Sequence, residues 1–142
     1  MRRITVADLL REARAGLVRV APREAHEALE AGDVLVDVRL AAHRDEHGHI
    51  TGALEIALNV LEWRLDPDSP SRHPAAPALE ERVIVLCEQG YSSSLAAHRL
   101  QTIGFEHATD VIGGFESWVA EGLPVSFPRP EHTTGGARGE HR

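Results

Sequence analysis

The sequence predicts an α/β domain with a mainly parallel central sheet flanked by helices on both faces, and two observations carry that prediction. Val34-Leu35-Val36-Asp37-Val38 and Val83-Ile84-Val85-Leu86 are short apolar runs rich in β-branched residues and lacking polar alternation, as strands buried on both faces require. Around them lie segments whose apolar residues recur at helical spacing between caps and glycine stops, and strand alternating with helix is the pattern of a parallel sheet. At 142 residues the chain suits one domain, large enough to close a core without metal or disulfide support.

Thr5 precedes Val6, Leu9, Leu10 and Ala13, which predicts a first helix with Thr5 as N-cap and Gly16 as stop. Leu17 to Val20 reads as a brief strand. Pro22 opens a second helix, whose face is Ala25, Ala28 and Leu29 and whose end is Gly32. After the strand at 34–38 the chain is a polar loop from Leu40 to Gly52, then a short strand over 53–57 and a helical turn from Asn59 to Leu65, with Trp63 packed on the core. Pro67 to Pro77 is a loop. Beyond the strand at 82–87, Ser92, Ser93 and Ser94 are N-cap candidates for a helix with Leu95, Ala96, Leu100 and Ile103 inward and Gly104 as stop. A strand at 108–112, a tight turn at Gly113-Gly114 and a last helix from Phe115 to Glu121, held by Trp118 and Val119, complete the pattern. The divisions expected are an N-terminal helix at 1–17, the main domain at 18–127, and a disordered polar tail at 128–142.

Composition narrows the function. A formal net charge of -7 argues against nucleic acid or an anionic membrane as the main partner. All 15 basic residues are arginine, so lysine-based Schiff-base chemistry is excluded. Cys87 is the only cysteine, so no internal disulfide is possible and a reducing compartment, the cytoplasm, is expected. Asp8, Arg11 and Glu12 interrupt the stretch where a secretory signal needs its apolar region, and no run approaches bilayer length. His43, His47 and His49 cluster in a polar loop, but with no cysteine nearby and no HExxH spacing they read as solvated or hydrogen-bonded imidazoles. No metal and no cofactor is expected.

The most informative stretch runs from Arg82 to Ser94. Cys87 closes a buried strand, a turn containing Gly90 follows, and a helix begins. Such a turn aims backbone N–H groups and the positive end of a helix dipole at one point, and that field favours thiolate, the nucleophilic form. A core cysteine belongs inside the run, whereas Cys87 stands at the strand end where open α/β sheets place ligands.

Four segments together give a resemblance. They are Val36-Asp37-Val38-Arg39, Gly48-His49-Ile50-Thr51-Gly52-Ala53, the Cys87 turn, and Gly113-Gly114-Phe115-Glu116-Ser117-Trp118 with Gly122-Leu123-Pro124-Val125. In order and spacing the chain resembles a single rhodanese-like domain, the sulfurtransferase module. The resemblance implies that Cys87 takes the outer sulfur of a donor such as thiosulfate, holds it as a persulfide, and passes it to a thiol or cyanide-like acceptor. It implies Glu88, Gln89, Gly90, Tyr91, Ser92 and Ser93 as the substrate-binding cradle, with Asp37 and Arg39 supporting the loop. Two departures bear on activity: thiosulfate-active members of that family often have arginine after the cysteine and arginine or threonine near the loop end, where this chain has Glu88 and Ser92. A carboxylate at Glu88 repels a dianionic donor and opposes thiolate formation.

Two rival readings follow. A related cysteine phosphatase needs an arginine six positions after the cysteine to clamp a dianion with forked hydrogen bonds, and that position is Ser93. A sulfur-delivery module that turns over only with a partner protein is the other, with Tyr91 at the loop tip as a docking residue.

Overall fold

A computed structural model describes residues 2–127. The segment expected as a disordered tail, 128–142, lies outside the described residues. Among those described, the chain forms four strands and six helices: α1 (Val6–Ala15), α2 (Pro22–Glu30), β1 (Val34–Asp37), α3 (Ala41–His47), β2 (Leu54–Glu55), α4 (Leu61–Leu65), β3 (Val83–Leu86), α5 (Ser92–Thr102), β4 (Thr109–Asp110) and α6 (Gly114–Ala120). The strands order as β2-β1-β3-β4, and every pairing is parallel. The α/β class and parallel sheet expected from the sequence are therefore present.

The pleat explains the two-sided core. Val36, Val38, Val83, Val85 and Cys87 face one side, where Leu61 and Leu65 of α4 and Ala96, Ala97 and Leu100 of α5 cover them. Leu35, Ile84 and Leu86 face the other, covered by Ala25 and Ala28 of α2 and by Phe115 and Trp118 of α6. The register sets Asp37 opposite Leu86 and Asp110 opposite Val85, so the carboxyl ends of β1, β3 and β4 share one edge. Ligands of open parallel sheets bind at that edge.

Thr5 caps α1 as expected: its hydroxyl accepts from the Asp8 N–H at 3.1 Å, and Asp8 Oδ2 accepts from the Thr5 N–H at 2.9 Å. Four expectations need correction. The segment from Leu17 to Val20 is not a strand. Only Val20 pairs, in a single parallel bridge with Val111, and Val18 is exposed, because this segment runs past the sheet edge. The polar loop from Leu40 to Gly52 contains α3, which has no apolar stripe to announce it. Its one buried residue is Arg44, which donates from Nη1 to the Arg39 carbonyl. Trp63 is 61% exposed, since so short a helix as α4 offers one inward stripe and Leu61 and Leu65 occupy it. In α6 Trp118 is fully buried and donates from Nε1 to the Pro124 carbonyl at 2.9 Å, whereas Val119 is exposed.

Candidate functional site

Cys87 follows the last residue of β3, and the turn 88–91 leads into α5. The turn is held by the start of α6: the Phe115 N–H donates to the Cys87 carbonyl at 2.8 Å and the Glu116 N–H to the Glu88 carbonyl at 3.0 Å. Close approach requires glycine here. Gly114 has φ +61°, and a Cβ on it would collide with the Cys87 carbonyl; a Cβ on Gly90, at φ +89°, would lie 2.7 Å from the Gly113 nitrogen.

The sulfur is the focus of the turn. Cys87 Sγ accepts from the Gly90 N–H at 3.1 Å and from the Ser93 N–H at 3.4 Å. Burial pushes the thiol pKa up, but hydrogen bonding from the Ser93 and Ser92 side chains and from the Ser93 and Gly90 N–H groups outweighs it, so Cys87 titrates below its ordinary range. The two N–H groups are the dependable donors among these. Ser93 Oγ has one proton and lies 2.7 Å from Asp110 Oδ2, which takes it. The three serines were expected as N-caps of α5, yet Tyr91 holds that position with no side-chain cap. The Ser93 and Ser94 hydroxyls turn instead to Asp110. The N-terminus of this eleven-residue helix thus stays open toward the sulfur.

Cys87 is 6% exposed and reaches solvent through a cleft of about 720 Å³, lined by Val38, Arg39, His43, Leu58, Glu88, Ser92 and Arg99 among others. That falls inside the range of roughly 300–1,000 Å³ typical of small-molecule sites. Glu88 faces this cleft: its Oε1 is buried without a hydrogen-bond partner among the described residues, 3.8 Å from His43 Nδ1.

Of the residues expected to form the cradle, Gly90 and Ser93 supply the N–H groups on sulfur, while Glu88 and Ser92 line the cleft beside it. The Gln89 side chain turns away to Glu116, at 3.1 Å, and Tyr91 is exposed at the loop tip. Asp37 and Arg39, expected to support the loop, are both buried but make no hydrogen bond to it. They bond each other, with Arg39 Nη2 2.7 Å from Asp37 Oδ2 and 2.9 Å from the Gly48 carbonyl. The Arg39 guanidinium lies 3.6 Å from the centre of the Phe115 ring, and the Phe115 N–H is the group that donates to the Cys87 carbonyl. Of the three histidines, His43 faces Glu88 while His49 lies between Asp45 and Glu55. No group of three or more histidine, cysteine or acidic side chains suited to a metal ion occurs among the described residues.

Sequence reasoning missed Arg14, Arg19 and Asp110. Arg14 and Arg19 both donate to the Gly90 carbonyl, at 2.7 and 3.1 Å, and Asp110 accepts from Arg19 and from both serines. A carboxylate ending a buried strand demands partners. That signal was present at Asp110, but nothing in one sequence names the arginines that answer it.

This arrangement offers a thiol whose ionisation is favoured, set in a cleft with N–H groups converging on its sulfur, and it fits attack on a soft electrophile such as a sulfane sulfur. Comparison with known proteins agrees. The family model "Rhodanese-like domain" matches residues 21–121. A thiosulfate sulfurtransferase GlpE of Stutzerimonas stutzeri is 37% identical over 100 residues, covering 70% of this chain and 83% of its own. The adenylyltransferase and sulfurtransferase MOCS3 of Oryza sativa is 33% identical over 109 residues, but the chain spans only 24% of that longer protein. Among solved structures, a Rhodopseudomonas palustris protein of unknown function, described as a possible tyrosine phosphatase, superposes with a TM-score of 0.79 at 26% identity, covering 89% of this chain and 96% of that one. With the family model spanning most of its length and a relative of this similarity, the chain belongs to the rhodanese-like domain family.

Proposed function

We propose that this protein is a sulfurtransferase in which Cys87 carries a sulfane sulfur between a donor and a thiol or cyanide-like acceptor. The observation that carries the reading is the convergence of the Gly90 and Ser93 N–H groups on Sγ in a cleft that admits solvent. The Cys87 thiolate attacks the outer sulfur of a donor such as thiosulfate. The donor S–S bond breaks, sulfite leaves with its electron pair, and Cys87 becomes the persulfide Cys87–S–S⁻. An acceptor thiolate then attacks that outer sulfur, forming a new persulfide and returning the Cys87 thiolate. The sequence involves no net oxidation, so neither metal nor cofactor is needed.

In this reading Glu88, Gln89, Gly90, Tyr91, Ser92 and Ser93 form the cradle, with unequal parts. Gly90 and Ser93 hold sulfur through their N–H groups. Glu88 sets the charge of the cleft wall and favours donors of low charge, such as an organic or protein-bound persulfide, over the thiosulfate dianion. The cleft is far larger than thiosulfate needs, which supports a bulkier donor or acceptor. A protein partner for sulfur delivery accords with the likeness to one part of a longer sulfurtransferase. A lone reactive thiol persists best in a reducing compartment, so the cytoplasm is its place in this reading. No helix among the described residues is long and apolar enough to cross a membrane. The phosphatase reading is disfavoured by Ser93, which stands where a forked cationic donor is needed.

The test is sulfite release from thiosulfate with a dithiol acceptor. Cys87→Ser should remove it entirely, and sulfite release surviving in that variant contradicts the mechanism.

A further inference from the structure

Arg14 and Arg19 lie outside the segment 21–121 that matches the family model, yet both reach the Cys87 turn from behind. Arg14 Nη2 donates to the Gly90 carbonyl at 2.7 Å, its Nε to Ser94 Oγ at 3.0 Å, and its guanidinium lies 5.8 Å from the centre of the Tyr91 ring. Arg19 Nη2 donates to the same carbonyl at 3.1 Å, while its Nε pairs with Asp110 Oδ1 at 2.8 Å. One backbone carbonyl thus accepts from two guanidinium groups. That carbonyl belongs to the peptide whose N–H is Tyr91's, and in a trans peptide the N–H points opposite to the C=O, away from the arginines. The Tyr91 and Ser92 N–H groups have no acceptor among the described residues.

The charges around the turn show why this matters. On the cleft side, Arg39 pairs with Asp37, Arg44 with Glu55 and Arg99 with Glu62, while Glu88 and His43 face each other. Behind the turn, Arg19 pairs with Asp110. Arg14 has no carboxylate partner among the described residues, so it is the uncompensated cation at this site.

We infer that Arg14 and Arg19 are positioning residues of the Cys87 turn: through the Gly90 carbonyl they orient the Gly90–Tyr91 peptide and polarise its N–H for the anionic outer sulfur of loaded Cys87. This rests on the sulfur-transfer reading, and it makes α1, which packs against α5, part of the chemistry.

The test uses the full chain with Arg14→Gln, Arg14→Lys and Arg19→Gln, and three readouts: the pH midpoint of Cys87 alkylation by iodoacetamide, the rate of sulfur loading from thiosulfate, and the melting temperature. Arg14→Gln should raise the alkylation midpoint by about half a pH unit and slow loading by about fivefold, a fraction of what losing a direct oxyanion donor costs. Arg14→Lys, which keeps the charge but not the fork, should fall between wild type and Gln. Because Arg19→Gln leaves buried Asp110 short of a partner and endangers folding, the half-buried Arg14 decides the matter. An unmoved alkylation midpoint and loading rate in Arg14→Gln, or a fallen melting temperature with an unmoved midpoint, overturns the inference. Wild type that alkylates but does not load overturns instead the use of thiosulfate, and the alkylation midpoints still decide the arginines.

Discussion

At the residue scale the site is a contest between burial and hydrogen bonding at one sulfur atom. Burial alone would make Cys87 an inert core thiol, and hydrogen bonding from the Ser93 and Ser92 side chains together with the Ser93 and Gly90 N–H groups outweighs it. Much of this was legible in the sequence. A cysteine at the end of a β-branched run, followed by glycine and a helix start, already implies a turn with converging amides. The side-chain directions were not legible, because Ser92, Ser93 and Ser94 are chemically alike and only Asp110, distant in sequence, separates their roles. Glu88 is the residue whose effect on function is most open to measurement. Replacing it by arginine exchanges a repulsive carboxylate for an attractive cation at the cleft wall. Glu88→Arg is expected to raise the second-order rate of thiosulfate loading by about tenfold, equivalent to about 1.4 kcal/mol. An unchanged rate would mean that charge at this position does not govern donor choice.

At the element scale, α6 and α1 hold the turn from different sides. The first residues of α6 bond the Cys87 and Glu88 carbonyls, and that contact exists only because Gly114 has no Cβ. Gly114→Ala is expected to destabilise the fold by at least about 1 kcal/mol from the positive φ alone, and further by the collision with the Cys87 carbonyl. Chemical denaturation of the variant checks it, and wild-type stability would contradict the packing described. The capping of α1 makes a pH prediction. Hydrogen bonding from the Thr5 N–H, then from Arg11 and the Thr5 side chain, lowers the Asp8 pKa to about 2. A carboxyl lowered on folding contributes stability that is complete above its unfolded value near 4 and is lost as pH falls through about 2. Amide exchange in α1 should therefore accelerate between those values in wild type, and an Asp8→Asn variant should lack that step. Sequence reading found α1 and its cap because Thr5, Asp8 and the apolar spacing are all local. It missed α3 because the buried member of that helix is an arginine, so the periodicity that betrays helices is absent. It misplaced Trp63 for a related reason: size and spacing say a tryptophan packs, but in α4 the inward places belong to Leu61 and Leu65.

At the scale of the whole molecule, the parallel order β2-β1-β3-β4 brings Asp37, Cys87 and Asp110 to one edge of the sheet from three separate strands. The two central strands were legible because both faces are buried and the apolar run is unbroken. β2 and β4, of two residues each, sit at the edges and are shorter than the segments that suggested them. Strand order and the pairing of Arg19 with Asp110, 91 positions apart, are long-range facts that local pattern does not encode. The central claim is that this edge converts Cys87 into a sulfur carrier. Intact mass of the protein before and after thiosulfate, with Cys87→Ala alongside, tests it most directly. The account predicts one added sulfur on wild type alone, removable by a thiol reductant. Wild type that neither gains mass from thiosulfate or an organic persulfide nor reacts with a thiol-labelling reagent would contradict it, and Cys87 would then be a buried core residue.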